Sequence, residues 1–293
     1  MKIEKTILAN NMMPQSASEV KNMYWPFDEP PKIMYKYTSF KRTFDVLMNN
    51  KIYFAKFSDF NDPFDGLVAL DLDTVEGRKT FIKNAMKMAR ESGREIAIEE
   101  QEFVDNPSVV DRLIHVTKRR QKEDSTGFCC LTDTCQSLPM WAHYADNHTG
   151  CCLVFDFSKH SNQQSPKDDF PFHYIKKIEY QSNLPKYNMD HIWHYYAYKS
   201  CEWEYEHEWR AVMFGKSMLH QSLLLNSFLD RKSNGAGFYP LGDFLCGVIL
   251  GYKMKDDAKK AINVAARQRG IFVQQASPES YKYGMSLAEV DNK

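Results

Sequence analysis

The sequence predicts an α+β protein: a single domain with a split or curved mixed β-sheet and helices packed on it. Two observations carry this prediction. Short apolar or alternating runs, "IMYKYTSF", "TGFCCLT", "CCLVFDF" and "FLCGVILGY", read as strands, while "DDAKKAINVAARQRG" has helical spacing with an acidic start and a basic end, as the helix dipole favours. Strands and helices are intermixed along one chain of 293 residues, enough for one large domain or two small ones.

In order, residues 1–32 read as a loosely structured leader ending in "WPFDEPPK", whose prolines block regular structure. Residues 33–288 read as the domain. "IMYKYTSF" opens it, with Thr38 or Ser39 capping the helix "KRTFDVLMNNK", whose Phe44, Leu47 and Met48 share a face. The strand "KIYFAKF" gives way to "SDFNDPFDG", a turn-rich loop. Residues 74–123 predict a helical insertion interrupted near Ser92-Gly93 and Asn106-Pro107. After "TGFCCLT" comes a short helix through "SLPMWAHYADNHTG", then the strand "CCLVFDF", a polar loop, and the alternating strand "FHYIKKIEY". A helix through "DHIWHYYAYKSC" leads into "WEYEHEWR", which alternates as a strand would and continues as "RAVMFG". Beyond a "KSNGAGF" turn, "FLCGVILGY", the last helix and the strand "IFVQQA" complete the fold.

Balanced charge, 38 basic against 38 acidic residues, gives no global field to recruit nucleic acid or an anionic membrane. No apolar run is long enough to span a bilayer and no signal-peptide pattern is present, so a cytoplasmic location is expected. Seven cysteines include no CxxC, and their apolar settings predict reduced, mostly buried thiols.

The densest chemistry lies in "WEYEHEWR". Read as a strand, it puts Glu204, Glu206, Glu208 and Arg210 on one face, and such a row needs positive partners, for which Lys199 and Arg210 are candidates. In "MWAHYADNHTG", His143 and Asp146 are spaced for a general base oriented by a carboxylate, while Trp141 and Tyr144 suit either core packing or ring stacking. In "FNDPFDG", Asn61 and Asp62 suit a proline-stiffened turn or contacts to a ribose hydroxyl or a metal. A hydrolytic metal centre drawing on His143, Asp146, His148, His191, His194 and the three glutamates lacks a recognised ligand spacing, so no metal is expected. "KIMYKYTSFKR" interleaves Lys32, Lys36, Lys41 and Arg42 with Tyr35, Tyr37 and Phe40, which suits a nucleic-acid-binding platform.

Several stretches together, "YKYTSF", "IYFAKFSDFNDPFDG", "GFCCLTDT", "SLPMWAHYADNHTGCCLVFDF", "YKSCEWEYEHEWRAV" and "VILGYKM", resemble a bacterial family catalogued as a domain of unknown function. The order of elements resembles, more loosely, the ADP-ribosyltransferase fold, which binds NAD in a cleft between two small sheets. That resemblance implies NAD as substrate, no metal, and a carboxylate supplied by Glu208 or Glu206, with Tyr144 and His143 in the catalytic set. It further implies nucleotide contacts from Lys36, Tyr37, Asn61, Asp62, Trp141 and Arg210, a nucleotide ligand with a nucleic-acid or protein acceptor, and a setting in bacterial stress, phage defence or mobile elements. The competing readings are a non-enzymatic nucleotide or nucleic-acid binding module and a metal-dependent hydrolase.

Overall fold

The computed structural model describes residues 28–69, 71–91, 99–106, 126–158, 172, 175–186, 196–213 and 235–290. The first 27 residues of the expected leader, the breaks at 92–98 and 107–125, the polar loop at 159–171, and His191 and His194 lie outside these residues.

An eight-stranded mixed sheet is the core of an α+β fold, as the strand and helix patterns predict. Its strands are β1 (Ile33–Thr38), β3 (Gly127–Thr132), β4 (Cys151–Asp156), β5 (Ile175–Lys177), β8 (Glu208–Met213), β10 (Leu245–Leu250), β11 (Phe272–Pro278) and β12 (Met285–Glu289). Their order is β12-β11-β10-β4-β1-β3-β8-β5, and β4, near the middle, is buried on both faces along nearly its whole length. Two ribbons flank it: β2 (Lys51–Phe54) with β9 (Gly237–Pro240), and β6 (Glu179–Gln181) with β7 (Tyr198–Ser200).

Period-two alternation divides the sheet into two chemically distinct faces. On one, Met34, Cys129, Leu131, Leu153, Phe155, Trp209 and Ala211 share a single core with the buried residues of helices α1 (Phe40–Asn49) and α5 (Asp256–Arg267). Ser39 caps α1 by accepting from the Arg42 amide at 3.2 Å, but the buried residues are Thr43, Val46 and Leu47, while Met48 faces solvent. The apolar stripe is thus turned by about one position from the expected one. Arg269, just past α5, donates to the Val46 and Leu47 carbonyls and to Asn50, satisfying acceptors at the end of α1.

The other face carries Tyr35, Tyr37, Cys152, Val154 and Ile249, covered by α4 (Leu138–Tyr144) through Met140 and the fully buried Trp141. Helix α4 is shorter than expected: Asp146, Asn147 and His148 all adopt left-handed backbone in the turn before Gly150. In the helical insertion, α2 (Val75–Glu91) and α3 (Glu100–Asp105) pack together through stacked Phe81 and Phe103, and Arg78 donates to the carbonyls of Leu72 and Val104.

Three stretches depart from the sequence pattern. The run "FHYIKKIEY" divides at Ile178, so that β5 joins the large sheet and β6 the ribbon. "YKS" forms β7 where a helix was expected, and Cys201–Glu206 forms a 3₁₀ helix rather than the first half of a strand. Strands β9 and β12 stand where turn and tail signals dominate the sequence. All seven cysteines are free thiols, four of them buried and Cys201 exposed. Among the described residues no helix is long and apolar enough to cross a membrane.

Candidate functional site

The 3₁₀ helix turns "WEYEHEWR" from a ribbon with two faces into a corner. Ser200 accepts from the Glu202 amide to start the helix, and His207 ends it in left-handed backbone before β8 begins at Glu208. Glu204 consequently points to solvent, whereas Glu206 and Glu208 are buried. The expected four-residue charged face is reduced to three members, Glu206, Glu208 and Arg210, held in one place by a helix end and a strand start.

Arg210 is the hub. On the site face it lies opposite Cys130 in the β3–β8 register, with no exposed surface. Its Nη1 and Nη2 donate to Asp65 Oδ1 and Oδ2 at 2.8 and 3.0 Å, a bidentate pair. Nε and Nη2 donate to Glu208 at 2.8 and 2.9 Å, and Nη1 also reaches the Tyr196 carbonyl at 3.2 Å. These five hydrogen bonds equal the donor capacity of a guanidinium group. Phe57 and Phe60 lie against it, their ring centres 5.6 and 5.4 Å from its central carbon.

Lys199 on β7 joins this buried pair to the outer carboxylate. Its Nζ donates to Glu206 Oε2 at 2.5 Å and to Glu208 Oε2 at 3.2 Å, and lies 4.9 Å from the centre of the Trp203 ring. Glu206 Oε1 in turn accepts from the Tyr144 hydroxyl at 2.5 Å, and that hydroxyl accepts from Asn61 Nδ2 at 3.1 Å. Tyr180 accepts from the Glu208 amide at 2.7 Å, fixing where β8 starts. The set therefore runs from Asp65 at the buried end to exposed Asn61, between the large sheet, the β6–β7 ribbon, the 57–65 loop and α4.

Three carboxylates face two cations here, and their proton affinities diverge accordingly. Burial raises that of Glu208, but Arg210 and Lys199, with hydrogen bonds from Arg210 and Cys130, outweigh it and hold the carboxyl well below its ordinary range. Burial and the Glu208 charge push Glu206 upward, only partly offset by Lys199 and Tyr144. Burial likewise raises Asp65 against the pull of Arg210. Burial and the Glu206 charge hold Tyr144 firmly in its neutral form.

Lys199, Arg210, Tyr144 and Asn61 thus gather around the glutamates. The remaining expected residues do not join them. Trp141 is wholly enclosed: it packs edge-on against Tyr37 at 5.1 Å, lies nearly parallel to the His148 ring at 6.4 Å and donates Nε1 to the Cys135 carbonyl at 2.9 Å, so a ligand ring has no access to it. Tyr37 is itself core, its hydroxyl accepting from the Ser137 amide. Lys36 alternates onto the opposite sheet face, where its Nζ donates to the Cys130 carbonyl at 2.8 Å; a phosphate held there would not share a site with Glu206. Of the expected nucleic-acid platform, Tyr37 is buried and Lys36 is held by the Cys130 carbonyl, while Lys32, Lys41 and Arg42 are exposed.

His143 meets the Tyr205 hydroxyl at 3.1 Å rather than Asp146, because α4 ends before Asp146 can occupy the next turn. Asp62 forms an Asx turn, its Oδ1 accepting from the Phe64 amide at 2.8 Å, while Oδ2 is buried with no hydrogen-bond partner among the described residues. Glu208, the preferred carboxylate of the sequence reading, is committed to Arg210 and Lys199, which leaves Glu206 as the outer group. Among the described residues no three of His, Cys, Asp and Glu are grouped to hold a metal ion.

Asp65 escaped the sequence reading altogether, as did Tyr180. Residues 140–211 match the family model "Protein of unknown function (DUF2971)". The matched segment runs from α4 into β8, carrying Tyr144, Lys199, Glu206, Glu208 and Arg210 but not Asn61 or Asp65. Neither the curated proteins nor the solved structures contain a match to this chain.

Proposed function

We propose that the chain is an enzyme that cleaves the nicotinamide–ribose bond of NAD in the manner of an ADP-ribosyltransferase, with Glu206 as its working carboxylate. The observation that supports this reading is the place of Glu206: the outermost acid of a set with one more carboxylate than cations, hydrogen-bonded to Tyr144 and one step from exposed Asn61. When the bond from ribose C1′ to the pyridinium nitrogen breaks, its electron pair goes to nicotinamide and positive charge develops on the sugar. A fixed carboxylate beside C1′ stabilises that charge. The acceptor hydroxyl, or water, then bonds to C1′ and releases a proton. Asn61 and the Tyr144 hydroxyl lie where they can orient ribose hydroxyls, and half-buried Trp203 and Tyr205 border the same region.

The test is nicotinamide release from NAD by the purified chain and by Glu206→Gln. Loss of a transition-state electrostatic contact of this kind costs about 100- to 1,000-fold in turnover. Wild-type turnover unaffected by the substitution would sink the assignment, as would absence of both nicotinamide release and calorimetric NAD binding.

A second reading, a non-enzymatic nucleotide-binding module, draws on a different observation: both Glu206 oxygens are engaged by Lys199 and Tyr144, as in a structural brace. Stoichiometric NAD binding without turnover, retained in Glu206→Gln, distinguishes it.

A further inference from the structure

Charge alternates along the set in the order Asp65, Arg210, Glu208, Lys199, Glu206. Each cation is shared. Arg210 divides its donors between Asp65 and Glu208, and Lys199 divides its own between Glu208 and Glu206. Glu208 Oε2 accepts from both cations, so a change in its hold on Arg210 alters its demand on Lys199. Asp65 also approaches Lys199 at 4.0 Å. All five groups are buried, where charge interactions are little screened.

We propose that Lys199 and Asp65 are positioning residues for the Glu206 carboxylate, Lys199 by direct contact and Asp65 at one remove by competing with Glu208 for Arg210. Asp65 draws Arg210 away from Glu208. Glu208 then takes a larger share of Lys199, and Glu206 is left with a weaker counter-charge. Lys199 works in the opposite sense, holding Glu206 ionised and aimed at Tyr144. The other groups facing Glu206 are Tyr144 from α4, Tyr180 from β6, Glu208 from β8 and Tyr205 from its own 3₁₀ helix. The three tyrosines have proton affinities raised by burial, so they stay neutral while a carboxyl titrates.

Opposite signs follow for two charge-removing substitutions. Lys199→Met removes the contact cation, so Glu206 holds its proton to higher pH. Asp65→Asn releases Arg210 to Glu208 and Lys199 to Glu206, so Glu206 ionises at lower pH. A brace with no such coupling does not produce opposite shifts. The catalytic meaning rests on Glu206 being the working carboxylate; the coupling itself does not.

The experiment is a carbon-13 NMR titration of glutamate carboxyls in the free protein, the Glu206 signal being the one lost in Glu206→Gln. Lys199→Met is expected to raise the Glu206 midpoint by about 1–3 units, the range of a charge at hydrogen-bond distance. Asp65→Asn should lower it, and Lys199→Arg, which keeps the charge, should restore most of the wild-type value. Should Asp65→Asn fail to fold, Arg210→Lys replaces it: with fewer donors for Glu208, the Glu206 midpoint should rise. Shifts of the same sign in Lys199→Met and Asp65→Asn, or no shift in Lys199→Met, overturn the proposal; so does an unmoved midpoint in Arg210→Lys. If the midpoints move as stated while no variant and no wild type releases nicotinamide, the coupling stands and the NAD reading fails.

Discussion

Arg210 and Asp65, 145 positions apart in sequence, form a buried bidentate ion pair that ties the 57–65 loop to strand β8. Removing one partner strands the other's charge away from water, which costs far more than the pair contributes when intact. Arg210→Met should therefore destabilise the fold by about 3–5 kcal/mol, read as a lowered urea midpoint. Adding Asp65→Asn to it should cost less than the sum of the two single changes, because the second substitution removes a charge that the first left unpaired. Strict additivity would show that the pair is energetically uncoupled.

Gly66 ends the same loop with a φ of +70°, and a Cβ there would lie 2.8 Å from the Phe57 ring. Backbone strain and the clash act together, and the ring does not yield easily. Phe57 is wedged against Phe128 at 4.2 Å and lies over Arg210. Gly66→Ala should cost about 1–3 kcal/mol, the range for a non-glycine residue forced into left-handed backbone. Thermal unfolding checks this. A substitution within a few tenths of neutral would mean that the loop does not bear on Arg210.

Much of this site is legible in the sequence because like charges demand partners. Three closely spaced glutamates imply cations, and Lys199 and Arg210 are the nearest; both are where that argument puts them. The strand reading of residues 203–207 fails because alternating aromatic and charged residues satisfy two geometries at once. Ser200 followed by Glu202 and Glu204 is a helix-start signal that competes with the alternation, and it prevails. Asp65 is hidden for a different reason. "NDPFDG" has full local justification as a turn, in which aspartate is favoured for its bonds to its own backbone, so Asp65 reads as a turn residue and not as a charge in need of a partner. Lys36 and Tyr37 differ by one position, and only the β1–β4 and β1–β3 registers decide which of them shares a face with Arg210. The edge strand β12 carries one fully buried side chain, Met285, too little alternation to mark a strand.

Trp141 supports the site from the core and not as a ligand surface. It fills the space between α4 and β1, and its Nε1–H satisfies the Cys135 carbonyl. Trp141→Ala should cost about 3–5 kcal/mol through the cavity alone. Trp141→Phe keeps most of the volume and leaves that carbonyl unsatisfied, at about 1–3 kcal/mol. Both are read by chemical denaturation. In Trp141→Phe, any change in nucleotide affinity should be far smaller than the loss of stability; the reverse ordering would restore Trp141 as a stacking residue.

Glu206 and Glu208 should leave opposite marks on the pH dependence of stability, because their carboxyls depart in opposite directions from an ordinary value of 4.5. Glu208 is depressed: burial opposes its charge, but Arg210 and Lys199 prevail. Its contribution is thus present above 4.5 and lost as pH falls through its lower folded-state value. Glu206 is raised, by burial first and by Glu208 second. The folded state binds this proton more tightly than the unfolded chain does, so stability declines as pH rises from 4.5 through the raised value. Glutamine mimics the protonated form without titrating. Relative to wild type, Glu206→Gln should therefore gain stability progressively above 4.5, and Glu208→Gln should be most costly near neutrality, with the deficit shrinking in acid. Urea unfolding of the three proteins from about pH 3 to about pH 8 follows the gain of Glu206→Gln over wild type and the first part of the shrinking Glu208→Gln deficit. Parallel curves for the two variants would mean that the carboxylates share their charge environment equally, and Glu206 would lose its distinction as the outer member whose proton affinity is raised.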